Sequence, residues 1–296
     1  MDRTDAMRAD IERGPEALIA LLEAYDGRPS PLDALSADRL RGRHVAFAGL
    51  GSSLFASMDA AFALRASGVA AWAEFAAASG APPSTDLVLV AVSASGRTLE
   101  VVEVAQRHRG TSLVIGVTNA PDSPLAAASD VVLPLFAGVE AAGISTLTFR
   151  ATVVVLGLLA ERLGVKSEVA RIRTPTPGHI AEDSIAAWAD LLDGAPSIDV
   201  IGSASRLGAV SQAALMLREA PRLQAHPWET SDWLHTGVYL ALPGHCAILF
   251  TGSPADAEVI DTIRRRAGDV VALGGAESAI VDRVALELWR RTSAEG

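Results

Sequence analysis

The run Ser93, Ala94, Ser95, Gly96, Arg97, Thr98 sets three hydroxyls and a glycine between two patterned stretches. Before it stands an unbroken apolar run, Leu87 to Val92, and after it Leu99, Val102 and Gln106 follow at helical spacing. A short apolar run of this kind predicts a buried parallel strand, which places Ser95 to Thr98 at a helix N-terminus. There the first N–H groups lack intrahelical partners and the macrodipole is positive, a setting that holds a dianion. The Ser93, Ser95 and Thr98 hydroxyls add donors, and Gly96 lets the backbone approach closely. Each hydrogen bond to a charged oxygen is worth roughly 1.5 to 3 kcal/mol, so three or four of them can hold a phosphoryl group. Serine and threonine are also the ordinary N-caps of helices, and capping is the alternative reading of the same residues. Arg97 at a helix start opposes the dipole, which makes sense if it faces a dianion; a solvated arginine is the plainer account.

A second pattern, His226, Glu229, Asp232 and His235, recurs every third residue and suggests a metal at first sight. On a helix each three-residue step falls about 60° short of a turn, so the ends of the run point apart, and Pro227 interrupts its start. No metal is expected. Trp228 and Trp233 in the same stretch are candidates for stacking on a sugar face or for burial at an interface.

The elements that must position these residues belong to a chain of 296 residues, half of them hydrophobic, with a net charge of -10. That is enough chain and apolar surface for two modest domains. The acidic balance argues against nucleic acid or an anionic membrane as partner, since either needs a basic face. The single cysteine, Cys246, excludes a disulfide framework and fits a reducing compartment. The N-terminus lacks the basic start and apolar core of a signal peptide, and the apolar stretch near Ala151 to Ala160 is far below the ~20 residues of a membrane span. A cytoplasmic protein is expected.

In chain order, Asp5 to Tyr25 reads as an amphipathic helix, Pro29 and Pro31 as a linker, and Val45 to Leu50 as a strand running into Gly51, Ser52 and Ser53. Helix Leu54 to Ala66, strand Val69 to Phe75, the Leu87 strand, helix Leu99 to His108, strand Ser112 to Val117 and strand Val131 to Leu135 follow. Ser145 to Leu163 is a long buried helix, and Lys166 to Gly178 is the best linker. The second half opens with helix His179 to Leu192 and strand Ile198 to Ile201, and Gly202 matches Gly49 in an ungapped repeat that sets Leu64 and Arg65 on Leu217 and Arg218. The expected fold is α/β, with two tandem units (1–172 and 173–296), each a mostly parallel, flavodoxin-like sheet flanked by helices. The second unit's counterpart to the cradle, Thr251 to Pro254 after strand Cys246 to Phe250, has lost a backbone donor to Pro254, so a phosphate is expected in the first unit alone.

Taken in order, Gly51-Ser52-Ser53, Ser93 to Thr98, the Gly116 to Asn119 run, Ala137 to Glu140 and Ile144 to Thr146 resemble the sugar isomerase (SIS) family. The arrangement is similar to the paired SIS units of the isomerase half of glucosamine-6-phosphate synthase, from about Met7 to near Leu288. The resemblance implies a phosphosugar site in which Ser53, Ser93, Ser95 and Thr98 hold the phosphate, with Gly51, Ser52 and Gly96 in its loops and Ser145 near the sugar. It also places Glu219 at the position of a proton-shuttling base and His235 at that of a ring-opening histidine. The chemistry suits both residue types: a carboxylate can carry a proton between adjacent carbons, and imidazole exchanges protons near neutral pH.

Several departures qualify the match. Ala94 and Arg97 stand where the family has a glutamine and an acid, and Met216 stands where it has a catalytic-site lysine. The chain also ends without the family's lysine-bearing tail and has no N-terminal cysteine nucleophile. What the resemblance implies is therefore an enzyme of the isomerase, deaminase or deglycase kind on an amino-sugar or fructosamine 6-phosphate, without a cofactor and as a homodimer. A plain aldose-ketose isomerase and a non-catalytic phosphosugar sensor are the alternatives.

Overall fold

The computed structural model describes residues 2–78, 80–165, 181–275 and 277–294. They form two units, residues 12–140 with 145–165, and residues 2–11 with 141–144 and 181–294. The linker expected over Lys166 to Gly178 lies outside the described residues.

Helix α1 (Arg3–Asp26) gives its residues to Ile11 to one unit and the rest to the other. In place of a plain linker, Ser30 caps a short helical turn over Pro31–Ala34, and α2 (Ala37–Leu40) follows. Strands β1 (His44–Gly49), β2 (Ala71–Phe75), β3 (Leu87–Val92), β4 (Leu113–Thr118) and β5 (Val131–Pro134) then alternate with α3 (Ser52–Ala66), α4 (Leu99–His108) and α5 (Pro124–Ala128). All five strands are parallel, in the order β2-β1-β3-β4-β5. The unbroken apolar runs of β3 and β4 follow from burial on both faces. Val45 and Phe47 of β1 with Val88, Val90 and Val92 of β3 join α3 and α6 (Leu147–Arg162) on one face. Ala46 and Ala48 with Leu87, Leu89 and Ala91 pack under α4 and α5 on the other. Gly116 in β4 is forced by close packing, since a Cβ there would lie 2.3 Å from the Ser129 hydroxyl.

The second unit carries α7 (Glu182–Leu192), β6 (Ile198–Gly202), α8 (Leu207–Glu219), β7 (Ala225–Glu229), α9 (Thr230–His235), β8 (Cys246–Phe250), α10 (Asp256–Arg265), β9 (Asp269–Leu273) and α11 (Glu277–Ala294). Its sheet is parallel in the order β7-β6-β8-β9, which repeats the order of the first four strands of the other sheet without its fifth. Ile198 and Val200 face α7, α8 and α11, while Ile201 faces α9 and α10. The residue between them in this alternation, Asp199, is buried on the α9 side. No described helix is long and apolar enough to cross a membrane.

Candidate functional site

In the five-stranded sheet the strand order reverses between β1 and β3, and such a switch point opens a crevice at the carboxyl ends of the strands. Ala48 pairs with Ala91, so the loops after Gly49 and Val92 leave the sheet side by side, one into α3 and the other into α4. Gly51 stands at the N-cap of α3 with φ +51° and offers no side-chain cap to the turn that begins with Ser52 and Ser53. Gly49 lets that turn close down on the strand, since a Cβ there would lie 2.9 Å from the Leu54 nitrogen. Both serines are half-buried, and the Ser53 carbonyl accepts the Ser57 hydroxyl at 2.7 Å.

The second loop gathers its hydroxyls. Ser93 is buried, with its Oγ 2.9 Å from Thr98 Oγ1 and 3.5 Å from Ser95 Oγ. Ser95 Oγ also accepts the Arg97 N–H at 3.2 Å. Thr98 is the N-cap residue of α4, yet its side chain makes no capping bond. Its hydroxyl joins Ser93 instead, which decides against capping as the role of Thr98. Gly96 holds the turn at φ +63°, and a Cβ there would lie 2.0 Å from Ser123 Oγ. The Ala94 carbonyl, which accepts the Asn119 N–H at 2.9 Å and the Thr118 hydroxyl at 3.2 Å, fastens the loop to the end of β4. Hydroxyls and helix N-termini facing one crevice can bind a dianionic oxygen cluster.

Ser145 enters by another route. Its Oγ lies 2.8 Å from Thr148 Oγ1 at the start of α6. Glu140 supplies the cap of that helix: its Oε1 accepts the N–H groups of Thr146 and Leu147 at 2.5 and 2.6 Å, and its Oε2 the Thr148 hydroxyl at 2.5 Å. The α6 N-terminus thus has a resident carboxylate. Asn119 holds the preceding loop, donating from Nδ2 to the Gly138 carbonyl at 2.7 Å and accepting the Ala137 N–H at 3.0 Å. In sequence, Glu140 and Asn119 are parts of motifs that assign them no role. No local signal marks Glu140 as a cap, since Ser145 and Thr146 already stand at the helix start as ordinary cap residues.

Glu219 and His235 belong to the other unit. Glu219 is the last residue of α8 and His235 the last of α9, and both are exposed. The five residues of β7 run between them, about 16 Å of extended chain. Glu229 caps α9, accepting the Ser231 and Asp232 N–H groups at 2.7 and 3.0 Å. Trp233 is wholly buried and gives its indole N–H to Asp199, so it does not offer a face to a sugar. At the switch point of this sheet the Asp256 carboxylate accepts the N–H groups of Gly252 and Ser253 at 2.6 and 3.0 Å, and Arg206 is paired with the buried Glu277. An internal acid fills the second loop, a stronger reason against an external anion than the missing Pro254 donor.

Residues 41–162, which span β1 to α6, match the family profile described as the SIS domain. This part of the chain is a SIS domain. The chain is also 32% identical over 175 residues to a glutamine–fructose-6-phosphate aminotransferase (isomerizing) of Aeropyrum pernix, covering 54% of this chain and 28% of that protein. The chain therefore spans under a third of that relative's length. Glucosamine-6-phosphate deaminase from Thermotoga maritima shares the fold with a TM-score of 0.75, at 17% identity over 100% of this chain and 95% of its own. Tagatose-6-phosphate ketose/aldose isomerase from Escherichia coli does so with a TM-score of 0.74, at 18% identity over 98% and 93%. The hydroxyl cluster and both helix N-termini lie inside the SIS domain, while Glu219 and His235 lie outside residues 41–162.

Proposed function

We propose that the protein is a phosphosugar-processing enzyme acting on an amino-sugar or fructosamine 6-phosphate, with Gly51 to Ser53 and Ser93 to Thr98 as its phosphate cradle. The observation that carries this reading is the Ser93–Ser95–Thr98 hydroxyl cluster, uncommitted to capping, at the switch point of a SIS domain. In the proposed chemistry His235 takes the proton of the anomeric hydroxyl and returns it to the ring oxygen as the C1–O5 bond breaks, leaving the open-chain aldehyde. Glu219 then takes the proton from C2 and delivers it to C1, while the proton of the C2 amine or hydroxyl passes to O1, which becomes the C1 hydroxyl. With an amine on C2 this yields a C2 imine, which water converts to the ketose with release of ammonia; with a hydroxyl it yields the ketose directly. On a fructosamine the shuttle runs from C1 to C2, the N–H proton passes to O2, and water releases the amine from the C1 imine.

We further read the active form as a symmetric homodimer, in which a second copy completes the site. Sedimentation tests this part, and a purely monomeric species at micromolar concentration contradicts it. The reading as a whole is tested by thermal shift with glucosamine 6-phosphate, fructose 6-phosphate and a fructosamine 6-phosphate, followed by assay of ammonia, amine or ketose from each one that binds. Binding with turnover supports the enzyme. Binding without any turnover supports the sensor, an outcome for which the buried Met216, where the family has a lysine, supplies a reason. No stabilisation by any of the three refutes the cradle.

A further inference from the structure

Within the four-stranded unit, one acid stands in an otherwise apolar strand. Asp199 occupies the second position of β6, is 3% exposed, and faces the side of the sheet lined by Ile201, Ala247 and Leu249. A carboxyl group in such a place is costly unless its oxygens are taken up. They are taken up by two indoles: Trp228 on β7 donates to Oδ1 at 3.0 Å, and Trp233 on α9 donates to Oδ2 at 2.7 Å. His245, just ahead of β8, brings its Nε2 to 3.4 Å from the same Oδ2. The Trp233 ring is closed in from the other side by Gly237, where a Cβ would lie 2.5 Å from Trp233 Cδ1 and 3.1 Å from Trp228 Cε2.

The consequence falls on α9. This helix has six residues, too few to be stable by its own hydrogen bonds, and its last residue is His235. Trp233 is its largest anchor into the core, two residues from His235, and the hydrogen bond to Asp199 fixes both the depth and the rotation of that anchor. We propose that Asp199 is the positioning residue for His235, acting through the indole of Trp233 and the short helix that both tryptophans hold against the sheet. This rests on the role given to His235 above.

The experiment uses Asp199→Asn and Trp233→Phe in the full chain. Asparagine keeps the shape but turns an N–H donor toward one of two indole donors, and phenylalanine keeps the ring but removes the donor. The first readout is the His235 imidazole resonance, which needs no turnover. A resonance shifted or broadened in both variants is expected, and one identical to wild type in both overturns the proposal. The second readout compares cyclic glucosamine 6-phosphate with erythrose 4-phosphate, whose phosphorylated C4 oxygen cannot close a ring. A displacement on the order of 1 Å costs about a hundredfold, so turnover of the cyclic sugar should fall roughly 10- to 100-fold, while proton exchange at C2 of the open-chain sugar stays near wild type. Equal loss on both substrates means Asp199 supports the fold alone, and overturns the proposal. If Asp199→Asn does not fold, Trp233→Phe decides. His235→Ala separates the two layers: without a cyclic/open-chain split in that variant the function proposed for His235 has failed, and with the split there but absent from the Asp199 and Trp233 variants this inference alone has failed.

Discussion

Thr98→Val separates anion binding from helix capping at the one residue where both are chemically available. Valine keeps the β-branched shape and suits the extended backbone at position 98, φ -60° and ψ 114°. The hydroxyl makes no capping bond, so the stability lost is that of one hydroxyl pair with Ser93, about 0.5 to 1.5 kcal/mol. Binding loses a hydrogen bond to a charged oxygen, about 1.5 to 3 kcal/mol, which is roughly 10- to 150-fold in Kd. Urea denaturation gives the first quantity and calorimetry with a hexose 6-phosphate the second. A loss of about 2 kcal/mol in stability with Kd unchanged is the signature of a cap, and would rule out anion binding by this hydroxyl.

Gly96→Ala should lower stability by about 2 to 4 kcal/mol and abolish binding, since alanine is strained at φ +63° and its Cβ overlaps the Ser123 hydroxyl; native stability in urea contradicts this. Glu140→Ala should cost about 2 kcal/mol by uncapping α6, with Glu140→Gln recovering part of it; equal stability of all three proteins contradicts the cap. Burial pushes the pKa of His108, and that of His245 against the opposing pull of Asp199, below the ordinary histidine value of 6.5. The unfolded chain then binds more protons than the folded one as pH falls below about 6.5, so the urea midpoint should drop between about pH 7 and pH 5.5. A flat or rising midpoint over that interval contradicts it, and His108→Asn should flatten the slope.

The strands of the first sheet were legible because β3 and β4 are buried on both faces and their sequences are uniformly apolar. Helix α4 was legible for a related reason, its buried valines recurring at helical spacing. Less legible were features made by residues distant in the chain. Helix α6 begins at Leu147, two residues later than its apolar pattern suggests, because the Glu140 carboxylate reaches forward to the Thr146 and Leu147 N–H groups. Asp199 could not be read as a clamp, since its partners Trp228 and Trp233 lie 29 and 34 positions away. In the second cradle local rules pointed to Pro254, whereas the Asp256 carboxylate fills the loop from the first turn of α10. Of the candidate site, the cradle was readable as a local strand-turn-helix motif. Glu219 and His235 have no such local signature, and only their register with a known family drew them out.

Glu219 is proposed to exchange the C2 proton of a bound phosphosugar. Deuterium incorporation at C2 of glucosamine 6-phosphate, followed by NMR in wild type and in Glu219→Gln, tests it most directly. Exchange is expected in the wild type and none in Glu219→Gln, with binding retained, because glutamine keeps the shape but cannot take up the proton. Exchange at the wild-type rate in Glu219→Gln would contradict it.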